Sequence, residues 1–110
     1  MSDKKKEKQK LSDRQIKRNK DDWAKVLSMP EGRRVIYSIL LNCNEDVNTF
    51  DPANPYNTAY QNGKKDVGEI IKKKIKNSKR EAIFQMEDEY KSDVKETQEQ
   101  INQINKERED

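Results

Sequence analysis

Apolar side chains recur at helical intervals in four stretches of the chain, and these define the expected elements. Ser12-Asp13 predicts the start of a helix running to about Leu27, with Trp23, Val26 and Leu27 on one face. The segment "SMPEGRRVIYSILLNC" predicts a second helix from Pro30 to about Asn42, with Ser28 as its cap and the proline in the first turn, where a missing N–H costs nothing. Val35, Ile36, Ile39, Leu40 and Cys43 follow at intervals of 1, 3, 1 and 3 residues, a stripe wide enough to face two neighbours.

Residues 44–56 concentrate Asn, Asp and Pro and read as a loop pinned by Phe50. A third helix is expected from Asn57 or Thr58 to about Lys76, with Tyr60, Gly63, Val67, Ile70, Ile71 and Lys74 or Ile75 tracing its inner face. Gly63 on that face suggests a close backbone approach, so that Gly63→Leu should unfold the domain. From about Lys79 to Glu107 the chain has neither Gly nor Pro, and Ile83, Tyr90, Val94, Thr97, Ile101 and Ile104 are spaced 7, 4, 3, 4 and 3. Such a helix would be about 45 Å long, more than a small core needs. Its distal half should project and use Tyr90, Val94, Ile101 and Ile104 as a seam for a partner.

The architecture expected is therefore all-α: three helices, a long C-terminal helix projecting from them, and a Lys-rich N-terminal arm. Composition supports the division. Of 33 apolar residues, 27 lie between Trp23 and Tyr90. Three regions follow: a basic arm at 1–20, a helical domain at 21–90 and an acidic, weakly heptad tail at 91–110.

Charge is more polarised than the net +3 suggests. Residues 1–20 carry +6, 21–63 carry −3, 64–80 carry +6 and 81–110 carry −6. Lys4, Lys5, Lys6, Lys8, Lys10, Arg14, Lys17 and Arg18, with Lys64, Lys65, Lys72 and Lys73, are candidates for contacts to phosphates or an acidic protein face. Few aromatics intersperse them, so no base-stacking platform is indicated. No apolar run is long enough for a transmembrane helix, and no apolar stretch follows the basic N-terminus as a secretory signal requires.

Catalysis is poorly supplied, because there is no histidine and no nucleophile–base spacing. No cofactor or metal is expected. Asn44, Asp46 and Asn48 have the alternation of a calcium loop, but Thr49 stands where the sharp turn needs Gly and Pro55 where a bidentate Glu belongs. One cysteine, Cys43, allows no intrachain disulfide. Arg33 and Arg34 follow Gly32 and point to different sides of a helix start, so one can bridge to an internal carboxylate or a loop carbonyl while the other faces outwards.

The order "DDWAKVLSMPEGRRVIYSILLNC", Phe50, "AYQNGKKDVGEIIKKKI" and "IFQMEDE" resembles a small domain of tailed bacteriophages named after a Bordetella phage protein. The resemblance covers about residues 21–89. It rests on a Trp, a Val-Leu pair, a Pro-Glu-Gly-Arg-Arg helix start, a leucine helix ending at Cys, a loop Phe and an aromatic-x-x-Gly-x-x-x-Val-Gly helix. Tyr60 departs from a more usual Phe, and Lys64-Lys65 from a more arginine-like pair. What the resemblance implies is a non-enzymatic virion protein encoded in a phage assembly cluster and produced in the bacterial cytoplasm.

Portal, head–tail connector or internal core are the neighbours expected, with several copies in a ring-symmetric assembly. A DNA-associated internal or ejected protein and an assembly scaffold are the alternatives. Trp23, Gly32, Arg33, Phe50, Gly63 and Gly68 are the expected anchors of fold and interface, with the second and third helices meeting at the glycines.

Overall fold

The computed structural model describes residues 2–43 and 50–109. All its regular structure is helical: α1 (Asp3–Leu27), α2 (Pro30–Asn42), α3 (Pro55–Ser78) and α4 (Ala82–Glu109). The Asn44, Asp46 and Asn48 spacing lies outside the described residues.

α1 begins nine residues before the start expected at Ser12, so the Lys-rich arm is itself helix. Ser2 caps it, its side chain accepting from the Lys5 N–H at 3.4 Å, and Asp3 places a negative charge in the first turn. Gln9 donates to Asp13 one turn on, at 3.0 Å. Between Asp3 and Gln15 there is no Gly, Pro or β-branched residue. Helix propensity and capping carry this segment where apolar periodicity is silent. The boundaries expected near residues 20 and 90 both fall inside continuous helices.

Ser28 ends α1 rather than capping α2, its hydroxyl donating to the Ala24 carbonyl at 2.7 Å. Met29 is the residue at the N-cap of α2 and makes no side-chain bond, which Pro30 tolerates because it has no N–H to satisfy. α3 starts at Pro55, two residues ahead of the expected start, because Asn54 caps it by accepting from the Asn57 N–H at 3.1 Å. The Asp51 carboxylate secures the same turn through the Asn57 side-chain amide at 3.1 Å.

A short turn joins α3 to α4, closed by the Ala82 N–H on the Lys79 carbonyl at 3.0 Å. Lys79 also reaches back to the Ser28 hydroxyl at 3.2 Å, tying the ends of α1 and α3 together.

The core is small. Leu27, Ile36, Leu40, Ile75, Ala82 and Met86 are buried together, with Trp23, Tyr37, Ile71 and Ile83 packed around them. Burying a side chain such as Leu27, Ile75 or Met86 contributes about 1.5–3 kcal/mol, so few residues hold the four helices together.

The inner face of α3 agrees with the expected one only at its C-terminal end. Ile75 is buried and Ile71 half-buried, with Gly68 buried beside them, whereas Tyr60, Val67, Ile70 and Lys74 are exposed. Lys64 and Lys65 are half-buried, so their aliphatic stems cover part of that inner face. Gly63 lies outside it: a Cβ added there would meet nothing within 4 Å, so no close approach demands a glycine. Phe50, expected to pin the loop, is 69% exposed and is not a buried anchor.

The molecule is long and thin, with extents of 80 × 42 × 17 Å and a radius of gyration of 20.5 Å. α4 alone spans about 42 Å. Beyond Tyr90 every side chain described on it is exposed.

Candidate interaction surfaces

Gly32 makes the entry to α2 possible. A Cβ there would collide with the Val26 carbonyl oxygen and lie 2.8 Å from Val26 Cγ1, so the α1–α2 corner closes only around a glycine. This close approach is between successive helices α1 and α2, whereas Gly63 takes no part in any such contact.

The tight corner positions the next residue. Arg33 Nη1 donates to the Leu27 carbonyl at 3.0 Å, while Nε and Nη2 reach Glu89 Oε1 of α4 at 2.9 and 2.8 Å. One guanidinium thus satisfies a carbonyl left open at the end of α1 and holds α4 against α2. Arg34 points outwards, 4.0 Å from Glu31 on the same helix. Tyr37 and Tyr90 stack next to this clasp, ring centroids 5.1 Å apart and tilted by 55°.

Between α2 and α4 lies a shallow cavity of about 170 Å³ that includes Arg34, Ser38, Leu41, Glu89 and Asp93 in its wall. It is open to solvent on one side. Among the described residues no three His, Cys, Asp or Glu side chains converge as metal ligands. None of their helices is long and apolar enough to cross a membrane.

The α4 seam continues the face that Ala82 and Met86 bury. Tyr90, Val94, Ile101 and Ile104 lie on it and are between 42% and 51% exposed. The structure thus presents an apolar stripe that outruns the core it starts from.

Lys4, Lys5, Lys6, Lys8, Lys10, Arg14, Lys17 and Arg18 are all exposed on α1. The four α3 lysines do not form one surface with them in a uniform way. Lys73 is exposed, Lys65 and Lys72 are half-buried, and Lys64 sits 4.8 Å above the Tyr60 ring as a cation–π pair. Lys74 meets α1 by donating to the Asn19 side chain at 3.4 Å. Trp23 is half-buried against the core and Gly68 is buried in α3.

Glu89 is the residue sequence reasoning did not single out. Its signal was an acid three residues after Met86, on the side of α4 that faces inwards. No protein-family model matches the chain, and neither a curated protein nor a solved structure does.

Proposed function

We propose that this protein is a non-enzymatic structural component of a tailed-phage virion. It is present in several copies and docks on the portal, the head–tail connector or the internal core through α4 and the basic helix α1. The phage setting comes from the sequence resemblance over residues 21–89. The observation that carries the docking role is the α4 seam, which leaves the core and keeps Val94, Ile101 and Ile104 exposed at helical spacing.

A side chain such as Ile104 loses contact with water only when another surface covers it. A weak seam of this kind, with Thr97 among its positions, is completed by a large neighbour or by many copies rather than by a single isolated helix. The two ends differ in charge, +6 over residues 1–20 and −6 over 81–110, so one molecule offers unlike faces to unlike neighbours.

A second reading has its own support: the nine basic side chains of residues 1–20 all stand exposed on one helix. That arrangement suits a DNA-associated protein packaged or ejected with the genome, in which lysines displace counterions from the phosphates. An assembly scaffold is a third fate with the same surfaces.

Mass spectrometry of purified particles before and after genome release separates these fates. A structural component stays with the emptied particle, an ejected one leaves with the DNA, and a scaffold is missing from both. Absence from every particle and every assembly intermediate would overturn the virion assignment.

A further inference from the structure

Among the described residues, α3 and α4 each present a long apolar stripe at the surface. On α3, Tyr56, Tyr60, Gly63, Val67 and Ile70 succeed one another at 4, 3, 4 and 3 residues, and the four side chains are between 49% and 86% exposed. Because a Cβ at Gly63 would meet nothing within 4 Å, this stripe has an open notch at its centre. On α4, Tyr90, Val94, Thr97, Ile101 and Ile104 follow at the same intervals of 4, 3, 4 and 3. An average spacing of about 3.5 residues keeps two helices in contact over successive turns, so the stripes match in period.

Charge selects which stripe meets which. α3 carries six lysines against two acids, a net +4, and α4 carries eight acids against four basic residues, a net −4. Pairing α4 with another α4 brings two negative helices together, and pairing α3 with another α3 brings two positive ones. Only α3 against α4 attracts.

We propose that the α3 stripe of one copy packs antiparallel on the α4 seam of a second copy. With Gly63 set opposite Ile101, Tyr60 meets Ile104, Val67 meets Thr97 and Ile70 meets Val94. In this register Lys73 comes beside Asp93 across the interface. The notch at Gly63 receives the branched Ile101 side chain, which gives the open space a use that the single chain lacks. Each copy carries both halves of the contact, so two copies related by a two-fold axis exchange it twice over, the closed arrangement proposed here. The inference rests on the multi-copy reading above and narrows it: a second copy, in place of the larger neighbour, occupies the α4 seam, and docking on that neighbour falls to α1.

Cross-linking the full-length chain tests it. Gly63→Cys and Ile101→Cys are made separately, Cys43 being buried, and each variant is checked for unchanged helicity. A short thiol cross-linker is expected to join the two variants when mixed and neither when alone. Dimers from Ile101→Cys alone would replace the proposal with an α4–α4 contact, and dimers from Gly63→Cys alone with an α3–α3 contact.

Gly63→Arg gives a second arm, since it faces open space in the single chain and replaces a poor helix former with a good one, so the unfolding midpoint of the dilute single chain should not fall. It is expected to raise the dimer dissociation constant by roughly tenfold or more. A wild-type mass of 13.0 kDa by light scattering at every concentration, with no cross-link, would overturn the pairing. The two readings fail separately: a chain found in particles but never cross-linked loses only the pairing, and one that cross-links but is absent from particles loses only the phage assignment.

Discussion

Arg33 and Glu89, 56 positions apart in the chain, share a two-pronged contact at 2.8 and 2.9 Å that joins the α1–α2 corner to α4. The Arg33 side chain is 11% exposed and that of Glu89 36%, so the acid is still partly screened by water. The third bond of the guanidinium, to the Leu27 carbonyl, is the one no other group replaces.

Arg33→Ala should therefore destabilise the fold by about 2–3 kcal/mol, since it orphans a carbonyl and a carboxylate together. Glu89→Gln, which keeps an acceptor for Arg33, should cost about 1 kcal/mol. Urea titrations followed by helicity would check both. Equal effects of the two substitutions would show that the Leu27 bond contributes nothing.

The two glycines should respond with opposite signs. Gly32→Ala forces a methyl group into the Val26 carbonyl and should cost about 2 kcal/mol or more. Gly63→Ala adds a methyl group in open space on a helix and should stabilise by about 0.5–1 kcal/mol. Thermal unfolding of the two variants would show midpoints displaced to either side of the parent.

Much of this was legible in the residues and some was not, and the difference has physical causes. Pro30 and the Asn42-Cys43 end fixed α2, because a proline start and a full apolar stripe agree there. The start of α1 was misplaced because an exposed, charged helix has no apolar period to read; only Ser2, Asp3 and the run of good helix formers reveal it. On α3 two apolar stripes compete. Spacing ran one stripe from Tyr60 and Val67 on to Ile71 and Lys74 or Ile75, while packing kept Ile71 and Ile75, added Gly68 and left Tyr60 and Val67 outside, with lysine stems covering its edge. That one of Arg33 and Arg34 would bridge to an internal carboxylate was foreseeable from their place after Gly32, but which carboxylate was not, because spacing says nothing across 56 residues, and the carbonyl it meets ends α1 rather than lying in a loop.

Core truncations should be costly relative to the size of the fold. Leu27, Ile75 and Met86 are each at most 2% exposed, and Ile75→Ala or Met86→Ala should cost about 2–5 kcal/mol. Chemical denaturation would register this as a lowered midpoint, or as loss of the transition altogether. Val35→Ala, at a position 60% exposed, serves as the control and should move the midpoint little.

Hydrogen exchange should rank the molecule from the middle outwards. Amides of α1 before Ser12 and of α4 beyond Ile101 sit on exposed single helices and should exchange fast, while those around Leu27, Leu40 and Ile75 should be slowest. In the presence of a second copy or a virion neighbour, the α4 amides should slow the most. Uniform protection along α4 in a dilute sample would contradict this ordering.

The 20.5 Å radius of gyration has a practical corollary for anyone handling the protein. A compact chain would need about 350 residues to reach that radius, more than three times the 110 present. A lone molecule will therefore leave a gel-filtration column ahead of a rounded protein of the same 13.0 kDa, and elution position alone would credit it with company it does not have.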